Sequence, residues 1–373
     1  MKFACTQENL SQGLHLVSHI SGKNANLPIL SNVLLKAEEG SLKLSTTNLE
    51  MAVSVLVRGK METAGEFTVP AKLLQDYVGL LSSGKVELVQ SDDLLEVVAD
   101  GRVTKMKGVA ASEFPLIPKL AKGKGYKLKA EALKRAISQV AFAVSAAESR
   151  PELSGVACFF SAGKLIMAAT DSYRLSECEL GLETGSAEAE LRCIVPARAM
   201  QEIARIVSGY RDDMATPDEV EWAMTDNQLV VTYGNVELIT RLIEGSFPDY
   251  HQIIPTTFRS TLTLSRQELV QAIRAAALFA RQGLQDVHFK AIEGGGLEVS
   301  ASDSGTGTHA TTLKATLEGD ANTVTLNYRY VADGLSAMEG DEVTLRMIDG
   351  MSPVVAAPKQ GGAFRYIVMP IRQ

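Results

Sequence analysis

A chain of 373 residues, 46% of them hydrophobic and 22% charged, exceeds one ordinary domain by roughly two- to threefold and leaves disorder, collagen and low-complexity arrays without support. Its apolar runs, 275–280 and 156–160 among the longest, fall short of the roughly 18–20 residues a membrane span needs, so no membrane partner is expected. A net charge of −7 argues, as an average, against nonspecific affinity for nucleic acid. The opening residues turn polar before a signal-peptide hydrophobic region can form, so a cytoplasmic location is expected.

In chain order, an alternating segment 3–10 runs into an amphipathic stretch carrying Leu10, Leu14 and Val17 at helical spacing, and a second alternating run, 42–48, ends in the polar turn at Asn48. The segment 67–72, Phe-Thr-Val-Pro-Ala-Lys, then opens a second helix with Leu74, Tyr77, Val78 and Leu81. Strands over 86–90 and 94–99 follow, and Phe114-Pro115 closes the unit. The same plan recurs. Segment 126–133 leads into Leu133, Ile137, Val140 and Val144, the run 165–171 ends at Asp171, and 193–198 opens a helix with Met200, Ile203 and Val207. Strands over 220–224, 229–233 and 238–243 precede Phe247-Pro248. A third copy starts at 262–269, with Ile273 and Ala276, turns at Asp303, and reaches 324–329 and a helix with Val331, Leu335 and Met338. It continues through a strand over 343–347 to Met369-Pro370. Three copies of one plan predict an α+β fold of three similar domains, 1–123, 124–256 and 257–373, each with two helices packed on antiparallel sheets.

Cys5, Cys158, Cys178 and Cys193 form no C-x-x-C pair and read as buried thiols rather than a disulfide or metal site. His15 and His19 share a helix face without a matching carboxylate, so that face reads as solvated and no metal is expected. On the six predicted helices (7–20, 70–83, 130–144, 196–211, 265–281 and 327–340) ten basic residues meet seven acidic ones, a balance of +3 that leaves −10 on the rest of the chain. Lys72, Lys134, Arg198, Arg205, Arg266, Arg274 and Arg329 are among the ten. A helical face shared by the three units would offer a phosphate backbone a mildly basic surface. Such a small excess is also compatible with scatter.

The segments 27–32 (Leu-Pro-Ile-Leu-Ser-Asn), 169–175 (Ala-Thr-Asp-Ser-Tyr-Arg-Leu), 245–250 (Gly-Ser-Phe-Pro-Asp-Tyr) and 366–372 (Tyr-Ile-Val-Met-Pro-Ile-Arg), in that order on a threefold repeat, resemble the bacterial sliding clamp, the beta subunit of DNA polymerase III. The resemblance spans the whole chain. It implies the DNA clamp fold, with each chain half of a closed homodimeric ring whose helices line the hole. Such a ring encircles double-stranded DNA without regard to sequence and tethers the replicative polymerase, the clamp loader, repair polymerases and other clamp-motif proteins, which confers processivity. Weak contacts suffice, because topology retains the DNA and tight phosphate contacts would oppose sliding. Lys23, Lys72, Lys134, Arg150, Arg198, Arg205, Arg266 and Arg274 are then expected to face DNA.

The resemblance further implies a partner-peptide pocket. Its walls would be Leu153, Thr170, Ser172, Tyr173, Arg174, Leu175, Pro248, Ile253, Asn327, Tyr330, Met351, Pro353, Val368, Met369, Pro370, Ile371 and Arg372. Aliphatic groups would supply desolvation, and Arg174 and Arg372 would bind peptide carbonyls or carboxylates. Two positions depart from the family pattern. Ser172-Tyr173 stands where Gly-His is usual, and Gln373 where an apolar end is usual. The loop 211–219 is longer than the family norm and reads as an acidic, solvated excursion. No phosphate-cradling glycine loop, nucleophile elbow or zinc signature occurs, so no catalytic residue, cofactor or enzymatic activity is expected. A repeat-built peptide scaffold that never binds DNA is the competing reading.

Overall fold

The computed structural model describes residues 1–22, 26–118, 124–147, 149–161, 163–183, 191–211, 216–281 and 283–372, leaving aside the Lys124 side chain. Three successive strand and helix series make up the chain. The first comprises β1 (Lys2–Thr6), α1 (Gln7–Val17), β2 (Asn32–Glu38), β3 (Ser41–Thr47), β4 (Met51–Arg58), β5 (Lys60–Thr63), β6 (Gly65–Pro70), α2 (Ala71–Gly79), β7 (Lys85–Ser91), β8 (Leu94–Ala99), β9 (Arg102–Lys107) and β10 (Val109–Ala110). The second runs β11 (Lys124–Lys129), α3 (Ala130–Val140), β12 (Gly155–Ser161), β13 (Lys164–Thr170), β14 (Arg174–Gly181), β15 (Leu191–Pro196), α4 (Ala197–Gly209), β16 (Glu219–Met224), β17 (Gln228–Tyr233) and β18 (Val236–Arg241). In the third come β19 (Ser260–Ser265), α5 (Arg266–Ala277), β20 (Asp286–Ala291), β21 (Leu297–Asp303), β22 (Gly307–Leu313), β23 (Ala315–Gly319), β24 (Asn322–Asn327), α6 (Tyr328–Ala337), β25 (Glu342–Met347), β26 (Val354–Pro358) and β27 (Phe364–Val368).

Periodicity fixes these elements. Leu10, Leu14 and Val17 are fully buried along α1, and Leu269, Ile273 and Ala276 do the same along α5, because a 3.6-residue period returns every third or fourth side chain to one face. In β8 the burial alternates residue by residue, as a period of two requires. Thr6, Ser265 and Asn327 cap α1, α5 and α6, accepting from the backbone N–H of Asn9, Glu268 and Arg329. The helices end sooner than the hydrophobic pattern predicts. α2 stops at Gly79, leaving Leu80 82% exposed, and α1 and α3 tighten into 3-10 turns at Ser18–Ile20 and Ala141–Ala143. Pro70 stands one residue earlier than predicted, at the N-cap of α2 with ψ of 117°, where it closes a strand instead of occupying the first helical turn.

Two compact units emerge, and they do not coincide with the three repeats. The first holds Met1–Lys134, Leu182–Gly185 and Glu202–Leu242, the second Arg135–Gly181, Ser186–Gln201 and Ile243–Gln373. The cause is pairing across repeat boundaries. In the first unit β4 pairs antiparallel with β18, making one nine-stranded sheet ordered β10-β6-β2-β3-β4-β18-β17-β16-β11. In the second, β14 pairs with β27 in a sheet ordered β15-β12-β13-β14-β27-β26-β25-β19-β23. Each unit has one further sheet, β5-β1-β7-β8-β9 in the first and β22-β21-β20-β24 in the second. All described pairings are antiparallel, and among the described residues no helix is long and apolar enough to cross a membrane.

Candidate functional site

The expected pocket lies wholly within the second unit, around the turn between β13 and β14. Asp171 Oδ1 accepts from the backbone N–H of Tyr173 and Arg174, each at 3.0 Å, and Thr170 Oγ1 accepts from Ser172 N–H at 3.1 Å while donating to the Arg174 carbonyl at 2.6 Å. These bonds hold Ser172 at φ +79°, a left-handed conformation that glycine adopts at least cost. A family preference for glycine at this position therefore has a backbone cause. Tyr173, 63% exposed, stands out from the turn.

The C-terminal segment closes one side. β27 pairs Val368 with Arg174 and Ile367 with Leu175. Beyond it, Met369 N–H donates to the Tyr173 carbonyl at 2.8 Å and Ile371 N–H to the Thr325 carbonyl at 2.9 Å. Met369, Pro370 and Ile371 stay half-buried and Arg372 is exposed. Beneath them Leu175, Tyr250, Ile367, Val355 and Ala168 form a buried cluster flanked by Phe159, Phe247, Ile254 and Phe258, which anchors the stretch holding half-buried Pro248 and exposed Ile253. Leu153 is fully buried and its carbonyl accepts from Ser145 N–H at 2.8 Å. Half-buried Pro353 precedes β26, next to Met351, which is 59% exposed in a turn capped by Asp349. Asn327 serves as the N-cap of α6 and donates to Gln285 at 3.4 Å.

Arg174 is the polar centre, but not as the sequence predicts. Its Nε donates to Asp171 at 2.9 Å, one terminal nitrogen to Asp333 at 2.6 Å, and the other to the Phe142 carbonyl at 3.1 Å. The guanidinium stacks 4.6 Å over Tyr330 and 5.5 Å over Phe142. Burial works against its charge, and the neighbouring Tyr366, Asp333 and Asp171 outweigh that, holding the guanidinium above its ordinary range. With three of five N–H groups committed, Arg174 mainly pins β14 to α6, and only the two left over could meet a peptide. Tyr366 completes the pin by donating to the Tyr330 carbonyl at 2.8 Å, and Gly334 allows this, since a Cβ there would lie 2.2 Å from the Tyr366 ring.

The basic residues expected to face DNA differ in their surroundings. Arg205 lies at 22% side-chain exposure, paired with the buried Glu202, and donates to the His15 and Leu16 carbonyls at the end of α1. Arg266 likewise donates to the Leu335 and Gly340 carbonyls at the end of α6. Arg205 thus commits all three of its guanidinium nitrogens, and Arg266 two of its three, to contacts within the chain. Arg150 belongs to the pocket turn, donating to Ser172 Oγ at 3.1 Å and to Glu152 at 3.2 Å. Lys72 is exposed and pairs with Asp76 at 3.2 Å, and Lys134 pairs with Glu131, contacts weak enough to exchange for a phosphate. Arg198 and Arg274 are exposed, with no carboxylate partner among the described residues. Lys23, Gln373 and residues 212–215 of the predicted acidic loop lie outside the described residues. His19 bonds Glu202 at 2.7 Å, and among the described residues no cluster of three or more metal-type ligands exists.

Sequence reasoning missed Phe142, Asp333 and Tyr366, the supports of Arg174. Their contacts join residues far apart in the chain, and only the Asp171 to Arg174 spacing signals locally that an ion pair would form.

Three family models match in succession: the N-terminal domain of the DNA polymerase III beta subunit over 1–118, its central domain over 127–249 and its C-terminal domain over 251–372. The beta sliding clamp of Synechocystis sp. is 30% identical, covering 100% of this chain and 99% of its own, and that of Staphylococcus aureus is 28% identical over 93% and 92%. A sliding clamp structure from Bartonella birtlesii bound to griselimycin superposes with a TM-score of 0.92 at 26% identity, and one from Pseudomonas aeruginosa bound to the same compound with 0.93 at 25%, each covering 100% of both chains. The repeat, the clamp fold and these matches agree: the chain belongs to the beta sliding clamp family, the non-catalytic processivity subunit of DNA polymerase III.

Proposed function

We infer that two copies of this chain pair head to tail into a closed ring that encircles duplex DNA. One observation carries this reading. The strand series β6-β2-β3-β4, β15-β12-β13-β14 and β24-β20-β21-β22 correspond, as do β1-β7-β8-β9, β11-β16-β17-β18 and β19-β25-β26-β27. Within the chain β4 meets β18 and β14 meets β27, which leaves one edge of each kind, β22 and β9, without a strand partner among the described residues. An unpaired edge templates another strand, and only a second chain can supply both. Exposed leucines accompany both edges. Leu73 and Leu80 lie on or just past α2, whose Tyr77 accepts from Thr104 of β9 at 2.7 Å, and Leu278 follows α5 beside Phe279, which stacks on His309 of β22 at 5.6 Å.

In this reading the repeats divide at 1–123, 124–256 and 257–373, and the protein works in the cytoplasm on sequence-independent duplex DNA. Exposed Lys72, Arg198 and Arg274 and half-buried Lys134 supply weak, exchangeable phosphate contacts. The pocket around the 170–174 turn and the 368–372 segment receives short apolar-ended peptides of the replicative polymerase, clamp loader and repair polymerases. Two related clamps hold griselimycin, which supports a ligand site in this fold. Retention on DNA decides between the ring and a DNA-free peptide scaffold: a nicked circle should hold the loaded protein where the linearised form releases it, and equal retention on both would refute the ring. Sedimentation should give twice the 40.0 kDa chain mass.

A further inference from the structure

Cys158 and Cys193 are direct cross-strand partners in the β12–β15 pair. Residues opposed in this way have Cα atoms about 4.5–5.5 Å apart, inside the 4.4–6.8 Å that a disulfide spans. The row continues through Met167 of β13 to Cys178 of β14, so four sulfur side chains lie side by side across four strands of one sheet. Register also selects the pair. Cys178 is two strands from Cys158, about 10 Å away with Met167 between, and its thiol donates to Gln139 at 3.2 Å. Cys5 is in a sheet of the other unit.

Exposure orders the chemistry. Among the described residues β15 stands at the end of its sheet, its outer side meeting Ile243 N–H at the Ile194 carbonyl (2.9 Å), and Cys193 is partly exposed on it, whereas Cys158 has no accessible surface. Burial pushes the Cys5 thiol up to about 12 and the Cys178 thiol up to about 11, and burial followed by the neighbouring Cys193 thiol raises Cys158 well above its ordinary value. These three thiols are poor first nucleophiles.

We propose that Cys193 and Cys158 form a peroxide-responsive dithiol that closes a disulfide between β15 and β12. In the first step the Cys193 sulfur takes one oxygen of hydrogen peroxide as the O–O bond breaks, giving a sulfenic acid and one water. In the second the Cys158 thiol gives up its proton, its sulfur displaces hydroxide from the Cys193 sulfur, and a second water leaves. Two electrons pass from the two thiols to one peroxide. The bond fastens the strand that leads directly into α4 and Arg198.

The test treats the full-length protein with hydrogen peroxide, then denatures it, alkylates it with N-ethylmaleimide and maps the peptides by mass spectrometry. Two of the four cysteines should be lost to alkylation, both in one linked peptide pair holding Cys158 and Cys193, with Cys5 and Cys178 still alkylated. Thiol reductant should restore all four. Cys178→Ser should leave the link intact, and in Cys193→Ser the loss of alkylatable Cys158 should slow by at least about tenfold. Cys193 driven to a sulfinic acid with Cys158 still alkylated, a link between Cys193 residues of two chains, a Cys158–Cys178 link, or no link at all would each overturn the proposal. The wild-type peptide map separates these outcomes even if the Cys193 variant misfolds.

Discussion

The turn at 47–51 in the first unit and the turn at 170–174 in the second share one backbone design. Asn48 Oδ1 accepts from Glu50 and Met51 N–H as Asp171 Oδ1 does from Tyr173 and Arg174. Thr47 matches Thr170 in both of its bonds, Leu49 sits at φ +77° against +79° for Ser172, and Arg241 N–H meets the Glu50 carbonyl as Met369 N–H meets that of Tyr173. The side chains then diverge. Where the second unit places Arg150, Ser172 and Arg174, the first places Leu27, Leu49 and Met51, so a polar clasp and a stacked guanidinium become two exposed leucines and a buried methionine. The repeat therefore supplies the scaffold twice, and side chains alone distinguish the two junctions. One further difference adds to this: Leu242 N–H donates to the Asn227 carbonyl at 2.9 Å, a bond that Pro370 at the matching place has no N–H to make.

That last contrast offers the largest expected effect. Removing residues 369–373 should lower affinity for a polymerase tail peptide at least about a hundredfold, or about 2.7 kcal/mol, while dimer mass persists, because β27 ends at Val368 and its pairing with β14 survives. Peptide titration by calorimetry with sedimentation on the same sample checks both. Undiminished affinity would place the pocket elsewhere.

Next comes the guanidinium. Arg174→Met copies the first turn into the second and strands the Asp171 carboxylate, which is 14% exposed, beside a half-exposed Asp333. A loss of about 2–4 kcal/mol is expected, measured by denaturant unfolding with hydrogen exchange on β14 and α6. A cost below about 0.5 kcal/mol would mean that Arg174 is held ready for a ligand rather than spent on the fold.

How much of this was legible in the sequence follows the same division. Repeat, helix stripes and strand order come from local periodicity, which is why Leu10, Ile137, Ile203 and Leu335 are buried where spacing predicts. Resemblance to a family singled out the segments 170–175 and 366–372, and the structure brings them side by side through the pairing of β14 with β27. What each arginine does was not legible. Arg205 and Arg198 look alike as basic helix residues, yet one caps α1 and the other stands in solvent, and a contact between residues 189 apart leaves no local trace. Helix ends slipped for a related reason: the apolar pattern continues through Leu80 and Leu81 although the backbone turns away at Gly79.

An exchange at the capping position separates backbone role from charge. Asp171→Asn keeps both turn bonds, as Asn48 demonstrates in the first unit, but gives up the charged partner of Arg174, so about 1–2 kcal/mol should be lost. The reciprocal Asn48→Asp has Met51 rather than an arginine to meet and should stay within about 0.5 kcal/mol of wild type. Equal costs for the two changes would show that the cap, not the ion pair, decides the second turn.

The smallest effect should be the same at both junctions. Leu49 and Ser172 hold left-handed backbone that costs a residue with a Cβ about 1 kcal/mol, so Leu49→Gly and Ser172→Gly relieve strain and also loosen the unfolded chain, two opposed contributions of similar size. The net change should fall within about 0.5 kcal/mol for Ser172→Gly, and the exposed Leu49 side chain, with little burial to forfeit, should give nearly the same value. Thermal unfolding of the two variants side by side reads the difference. If Leu49→Gly alone costs more than about 1.5 kcal/mol, then its side chain is packed against something in solution, and the two turns differ in their contacts as well as in their chemistry.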